Sequence, residues 1–155
     1  MKKMDLNIIL ENNDERGAVY RGDYYKKEHF LLAEIKKGKR RGGHYHNKKV
    51  QHHVLSGKII YKEILLTKKG NHTKKSKETK KIMKNGDIII TPAYAAHVVI
   101  AIEDSIVFET SDENKTTINY QKYRNQIEMI YVIWIKKALL NRDSRFQELV
   151  QEWAQ

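Results

Sequence analysis

From residue 5 to about 110 the chain is cut into short Val-, Ile- and Tyr-rich segments separated by Gly, Ser-Gly or Asn-Gly turns. Segments of that length, closed by residues that reverse the backbone, read as β-strands joined by tight turns, not as βαβ units. The predicted strands are Leu6 to Leu10, Ala18 to Tyr20, Phe30 to Ile35, Val50 to Leu55 and Lys58 to Leu66. Asp87 to Thr91, His97 to Ile102 and Ser105 to Thr110 complete the set. With 155 residues the chain fits one domain with a real core, and the strand pattern makes it all-β, a sandwich or a barrel.

The period changes in the tail. Ile127, Ile130, Tyr131, Trp134 and Ala138 recur at helical spacing, and Phe146, Leu149, Val150 and Trp153 do so again after a break at Asn141 to Ser144. Two C-terminal α-helices are predicted. Their apolar faces are expected either to cover an open face or edge strand of the β-domain or to form a homodimer contact.

The net charge of +11 raises the question of an anionic partner. Eight lysines crowd into Lys68 to Lys84, together with Gly70, Asn71, Thr73 and Ser76, which reads as a solvated loop or hairpin. No aromatic residues are interleaved there to stack bases, so nucleic acid is not the expected partner. The apolar patch at Ile8 to Leu10 is too short for a signal-peptide core, and the longest apolar run, Met129 to Ile135, is too short to span a bilayer. The expectation is a cytoplasmic protein with no membrane partner. The absence of cysteine confines any metal to His, Asp, Glu, Gln or water ligands.

The chemistry-bearing stretch is Arg40-Arg41-Gly42-Gly43-His44-Tyr45-His46. On a strand, side chains alternate between faces, so His44 and His46 share one. Two converging imidazoles hold a metal or move protons. Gly38, His44, His46 and Gly57 are spaced as in the first signature of the cupin superfamily, G-x5-H-x-H-x(3,4)-E-x6-G, with one residue missing before the last glycine. Gly86, Pro92 and His97 fit the second, G-x5-P-x-G-x2-H-x3-N. The chain thus resembles a cupin over residues 14 to 110. The resemblance implies a jelly-roll-like β-barrel at residues 1–118, with a helical extension at 119–155 packed on the barrel or at a dimer interface. Gln51 stands where the family has glutamate, Tyr94 where it has glycine, and Ala101 where it has asparagine.

In metal cupins these motif positions bind the ion. Carried over, the ligands are His44, His46, Gln51 and His97, a set suited to Zn, Ni, Cu or Fe(II), with affinity lowered by the lost carboxylate. A narrower likeness joins Asp14-Glu15-Arg16-Gly17 to the Arg41-Gly42 and His44-x-His46 stretch. It is similar to the sugar-nucleotide branch of the cupins, the TDP-4-keto-6-deoxyglucose ketoisomerases, which work without metal through the paired histidines. It implies an isomerase or epimerase of a nucleotide-linked keto-deoxy sugar, with His44 and His46 moving the proton. Tyr94 is then an oxyanion donor, Arg16, Arg40 and Arg41 hold the diphosphate, and Gln51 and His53 contact the substrate. A metal-dependent dioxygenase or small-molecule isomerase, and a non-catalytic sugar- or anion-binding module, remain as alternatives. Glu63 and Glu109 lie inside apolar strands, as pocket acids if inward and as surface residues if outward. His53 is placed inward by parity with Gln51, leaving His52 outward.

Overall fold

The computed structural model describes residues 7–24, 28–112 and 115–128. The strands are β1 (Asn7–Asp14), β2 (Gly17–Tyr24), β3 (Glu28–Ile35), β4 (Arg40–His46), β5 (Val50–Ser56) and β6 (Lys58–Leu65). They continue as β7 (Thr79–Lys84), β8 (Ile88–Thr91), β9 (Ala95–Ala101), β10 (Ser105–Asp112) and β11 (Thr117–Asn119). One helix, α1, is described, over residues 121–128.

Every ladder is antiparallel. Six strands form one sheet in the order β1-β2-β3-β10-β5-β8, and five form the other in the order β11-β4-β9-β6-β7. The expected closed barrel is therefore corrected: among the described residues no ladder joins the sheets, and they enclose a core as two layers. Ile35, Val54 and Val107 from the first sheet meet Ile59, Tyr61 and Val99 from the second. Burying each such side chain contributes about 1.5–3 kcal/mol.

The lysine-rich stretch is in part a hairpin arm. Within it β7 pairs with β6 and turns only Met83 into the core, leaving Lys80, Lys81 and Lys84 exposed. Lysines on an edge strand discourage a further strand from adding there. A second apolar cluster lies on the outer face of the five-stranded sheet, where Tyr120, Tyr123 and Ile127 cover Tyr45, Ile64 and Val98. This is the start of the predicted tail helix, displaced toward the N-terminus. Its expected continuation through Trp134 and Ala138, and the second helix at Phe146 to Trp153, lie outside the described residues.

Candidate functional site

A cavity of about 710 Å³ opens between the sheets; among the described residues five histidines line it, and four of them, His44, His46, His52 and His97, meet as a cluster. β4 brings two of them, by way of a bulge. Gly42 pairs with Val98 and His44 with His97, so β4 spends one extra residue where β9 advances by one. The bulge resets the alternation, and Arg41 and His44 both face inward although they stand three positions apart, a spacing that regular alternation would put on opposite faces. His46 follows His44 on the same face. His97 comes from β9 and His52 from β5 on the opposite sheet.

The rings are in contact. Centroids are 4.7 Å apart for His44 and His46, 4.9 Å for His44 and His97, and 5.4 Å for His46 and His97. His52 stands 4.9 Å from His97. One ligand nitrogen each from His44, His46 and His97 lies within 4.8 Å of the other two. A second group, His52, His97 and Glu109, meets the same limit and shares His97.

Hydrogen bonds fix which nitrogens remain open. His97 Nδ1 lies 3.2 Å from the Ala95 carbonyl, which can only accept, so Nδ1 carries the hydrogen and Nε2 keeps its lone pair. His46 Nδ1 lies 3.1 Å from Thr117 Oγ1, while His46 Nε2 is buried with no hydrogen-bond partner. Leaving such an atom without a partner costs about 1–3 kcal/mol.

Burial sets the protonation. It pushes His44 down to about 4, with Lys115, His52 and Arg124 adding to it against Glu109. Burial likewise pushes His46 down to about 3, helped by Lys115 and His44. His97, fully buried, is driven well below its ordinary value first by desolvation and then by its histidine neighbours. All three are neutral at pH 7, the form that ligates a metal.

Below them, Glu109 receives His52 Nε2 at 3.1 Å and pairs with Lys115. Burial works to raise this carboxyl, but the His52 hydrogen bond and the charges of His52 and Lys115 outweigh it and hold it well below the usual range. The polar chain runs on from His52 Nδ1 to Thr91 Oγ1 at 3.1 Å, then to the Tyr61 hydroxyl, which donates to Glu63 at 3.0 Å.

No family model and no curated protein matches the chain. Solved structures do. The capsular polysaccharide assembling protein CapF from Staphylococcus aureus superposes with a TM-score of 0.53 at 16% identity, over 72% of this chain and 30% of that one. An oxalate decarboxylase from Lactobacillus farciminis gives 0.58 at 19% identity, over 74% and 34%. Vicilin from Corylus avellana gives 0.59 at 15% identity, over 71% and 34%. The chain has a cupin fold. It spans about a third of the length of each of these cupin-fold chains. Their names differ in what they denote, so the shared fold leaves the activity open.

Set on the cupin frame, the sequence-predicted residues divide. His44, His46, His97, Arg16 and Arg41 line the cavity. Arg16 and Arg41 share Asp14, with Arg16 Nε at 3.0 Å from Oδ2 and Arg41 Nη2 at 3.5 Å from Oδ1. Arg41 also donates to the carbonyls of Glu34 and Gly17.

The rest sit elsewhere. Arg40 donates to the Gln126 carbonyl at 3.3 Å and is not part of the cavity wall. On β5 the inward residues are Val50, His52 and Val54, so Gln51 and His53 take the opposite face, with His53 against Phe108. The parity expected for this strand is therefore reversed, and His52 is the histidine that enters. Tyr94, in the glycine position of the second motif, adopts φ 63° and packs in the outer apolar cluster, away from the cavity. Sequence reasoning missed Lys115, Thr117, Arg21 and Arg124, all of which line the cavity. They come from segments outside the motifs, and nothing in their local pattern marks them.

Proposed function

We propose that this protein is a metal-dependent enzyme of the cupin fold, acting on a small molecule held between its sheets. His44, His46 and His97 are the metal ligands. The observation that carries this reading is the Nε2 of His46, buried and without a partner beside two neutral imidazoles. Three imidazoles suit one borderline divalent ion, Zn, Ni, Cu or Fe(II). Such an ion, when bound, supplies a Lewis acid that polarises an oxygen of the substrate. The chain itself orients the ligands: Ala95 and Thr117 hold the rings of His97 and His46, the outer-shell support that metal sites use. The buried Glu109 places a negative charge beside the ligand set, offsetting the loss of the motif carboxylate at Gln51.

A second reading, a metal-free isomerase or epimerase of a nucleotide-linked keto-deoxy sugar, draws support from Arg16 and Arg41 on the cavity wall and from the likeness to the capsular polysaccharide assembling protein. The histidines count against it. A base should titrate near the working pH, and groups pushed down to about 4 and about 3 abstract protons poorly.

Elemental analysis of the purified protein and of a His97→Ala variant, both checked for folding by circular dichroism, tests the metal reading. Near one equivalent of metal, lost in the variant, is the expected result. No metal after incubation with Zn, Ni and Fe(II) overturns it.

A further inference from the structure

The helix α1 reaches the cavity through a gap in β4. It lies across the outer face of the five-stranded sheet, where Tyr123 and Ile127 pack on Tyr45 and Val98. Its start is tied by the Tyr120 amide donating to the Gly43 carbonyl at 2.9 Å, and its next turn by the bond from Arg40 to Gln126. Where it crosses, β4 carries Gly42 and Gly43, at φ 93° and 78°. A Cβ on Gly43 would stand 2.9 Å from Ile127 Cδ1 and 3.0 Å from Arg124 Cδ, closer than packed carbons approach. Only glycine leaves that space, and Arg124, lying against it, lines the cavity together with His44.

Among the described residues five cations line the cavity. Lys115 is paired with Glu109, Arg16 and Arg41 share Asp14, Arg41 also donates to two carbonyls, and Arg21 is paired with Glu11. Arg124 is the one whose side chain lies against Gly43, next to His44. Its ion pair is with Glu128, one turn along α1, at 3.4 Å and with a carboxylate 57% exposed. A solvent-screened pair of that kind holds a guanidinium weakly and yields to a better partner.

We infer that Arg124 is a ligand-binding residue of this cavity and that the ligand carries an oxyanion, a carboxylate or a phosphate, bound by the guanidinium beside His44. The planar fork of arginine matches either group bidentately. Three neutral imidazoles bring no charge to a divalent ion, and the nearby Glu109 is shared with Lys115, so a further anion is favoured there; this second argument rests on the metal reading, the first does not. The helix that follows the β-domain thus completes the site, and the double glycine admits it.

Isothermal titration with oxalate, succinate and inorganic phosphate tests this, on protein treated with chelator and on protein loaded with Zn. The organic acids and phosphate separate the two sources of oxyanion. In at least one metal state we expect one of these anions to bind, at least tenfold more weakly to Arg124→Gln, with binding largely restored in Arg124→Lys. Equal affinity in Arg124→Gln in both states, or no binding of any of the three, overturns the inference. Where Arg124→Gln fails to fold, Glu128→Gln decides: freeing the guanidinium should tighten binding at least twofold, and an unchanged or weaker affinity overturns it. Metal content of the same samples reports on the metal reading separately.

Discussion

His52 on β5 and Glu109 on β10 are direct cross-strand partners, and their side chains meet under the histidine cluster with Nε2 3.1 Å from Oε2. Two ionisable groups in register on the inner face of a sheet are costly to bury unless they satisfy each other. Here they do, with Lys115 and Thr91 closing the remaining valences.

Removing one member should therefore cost more than a polar surface change. We expect Glu109→Ala to lower stability by about 3–5 kcal/mol, because His52 and Lys115 would be left without their shared carboxylate. Urea denaturation reads this. A loss below about 1 kcal/mol, the scale of an exposed pair, would show that the network does not bear on the fold.

The histidines make the protein sensitive to acid. Their folded pKa values lie below the ordinary one, at about 4 for His44 and about 3 for His46, so between pH 6.5 and 4 the unfolded chain takes up protons that the folded chain refuses. The stability is fully present above pH 6.5 and is lost as pH falls, at up to about 1.4 kcal/mol per pH unit for each proton. Thermal unfolding in chelator across this window should show the decline, and His44→Ala should flatten it. Equal slopes in the two proteins would refute the assignment.

Metal content should follow the face a residue occupies and not its place in the motif. His46→Ala is expected to lose the ion, and Gln51→Ala to keep it, since Gln51 lies on the far side of β5. Elemental analysis of the two variants checks this. Loss of metal from Gln51→Ala alone would restore the motif assignment.

Tyr94 holds a left-handed backbone at φ 63°. That conformation costs a residue with a Cβ about 1–2 kcal/mol. Tyr94→Gly is accordingly expected to be more stable than Tyr94→Ala by about 1 kcal/mol, the reverse of the order at an ordinary strand position. Chemical denaturation of both variants decides the sign.

Much of the fold was legible because each strand is short and closed by its own turn residues. The eight strands read from residue patterns all exist, with ends moved by a few residues. β7 was harder, since Lys80-Lys81-Ile82-Met83-Lys84 offers only Met83 to the core and reads as solvated chain. His44, His46 and His97 converge because fixed spacings place them on two adjacent paired strands. The face of β5 was not legible. Val50 to Ser56 contains histidines in consecutive positions, and its inward set is decided by pairing with β10, where a slip of one residue exchanges the faces. Arg124 was invisible for a related reason: nothing local to a helix reveals that a strand far earlier in the chain leaves a gap for it.

His97 belongs to both potential ligand groups, yet it has one nitrogen to give, because Nδ1 is spent on the Ala95 carbonyl. The two arrangements are therefore rivals for a single lone pair and exclude each other. However much metal is supplied, the cavity should saturate at one ion per chain, and an ion drawn toward His52 and Glu109 would have to give up His44 and His46.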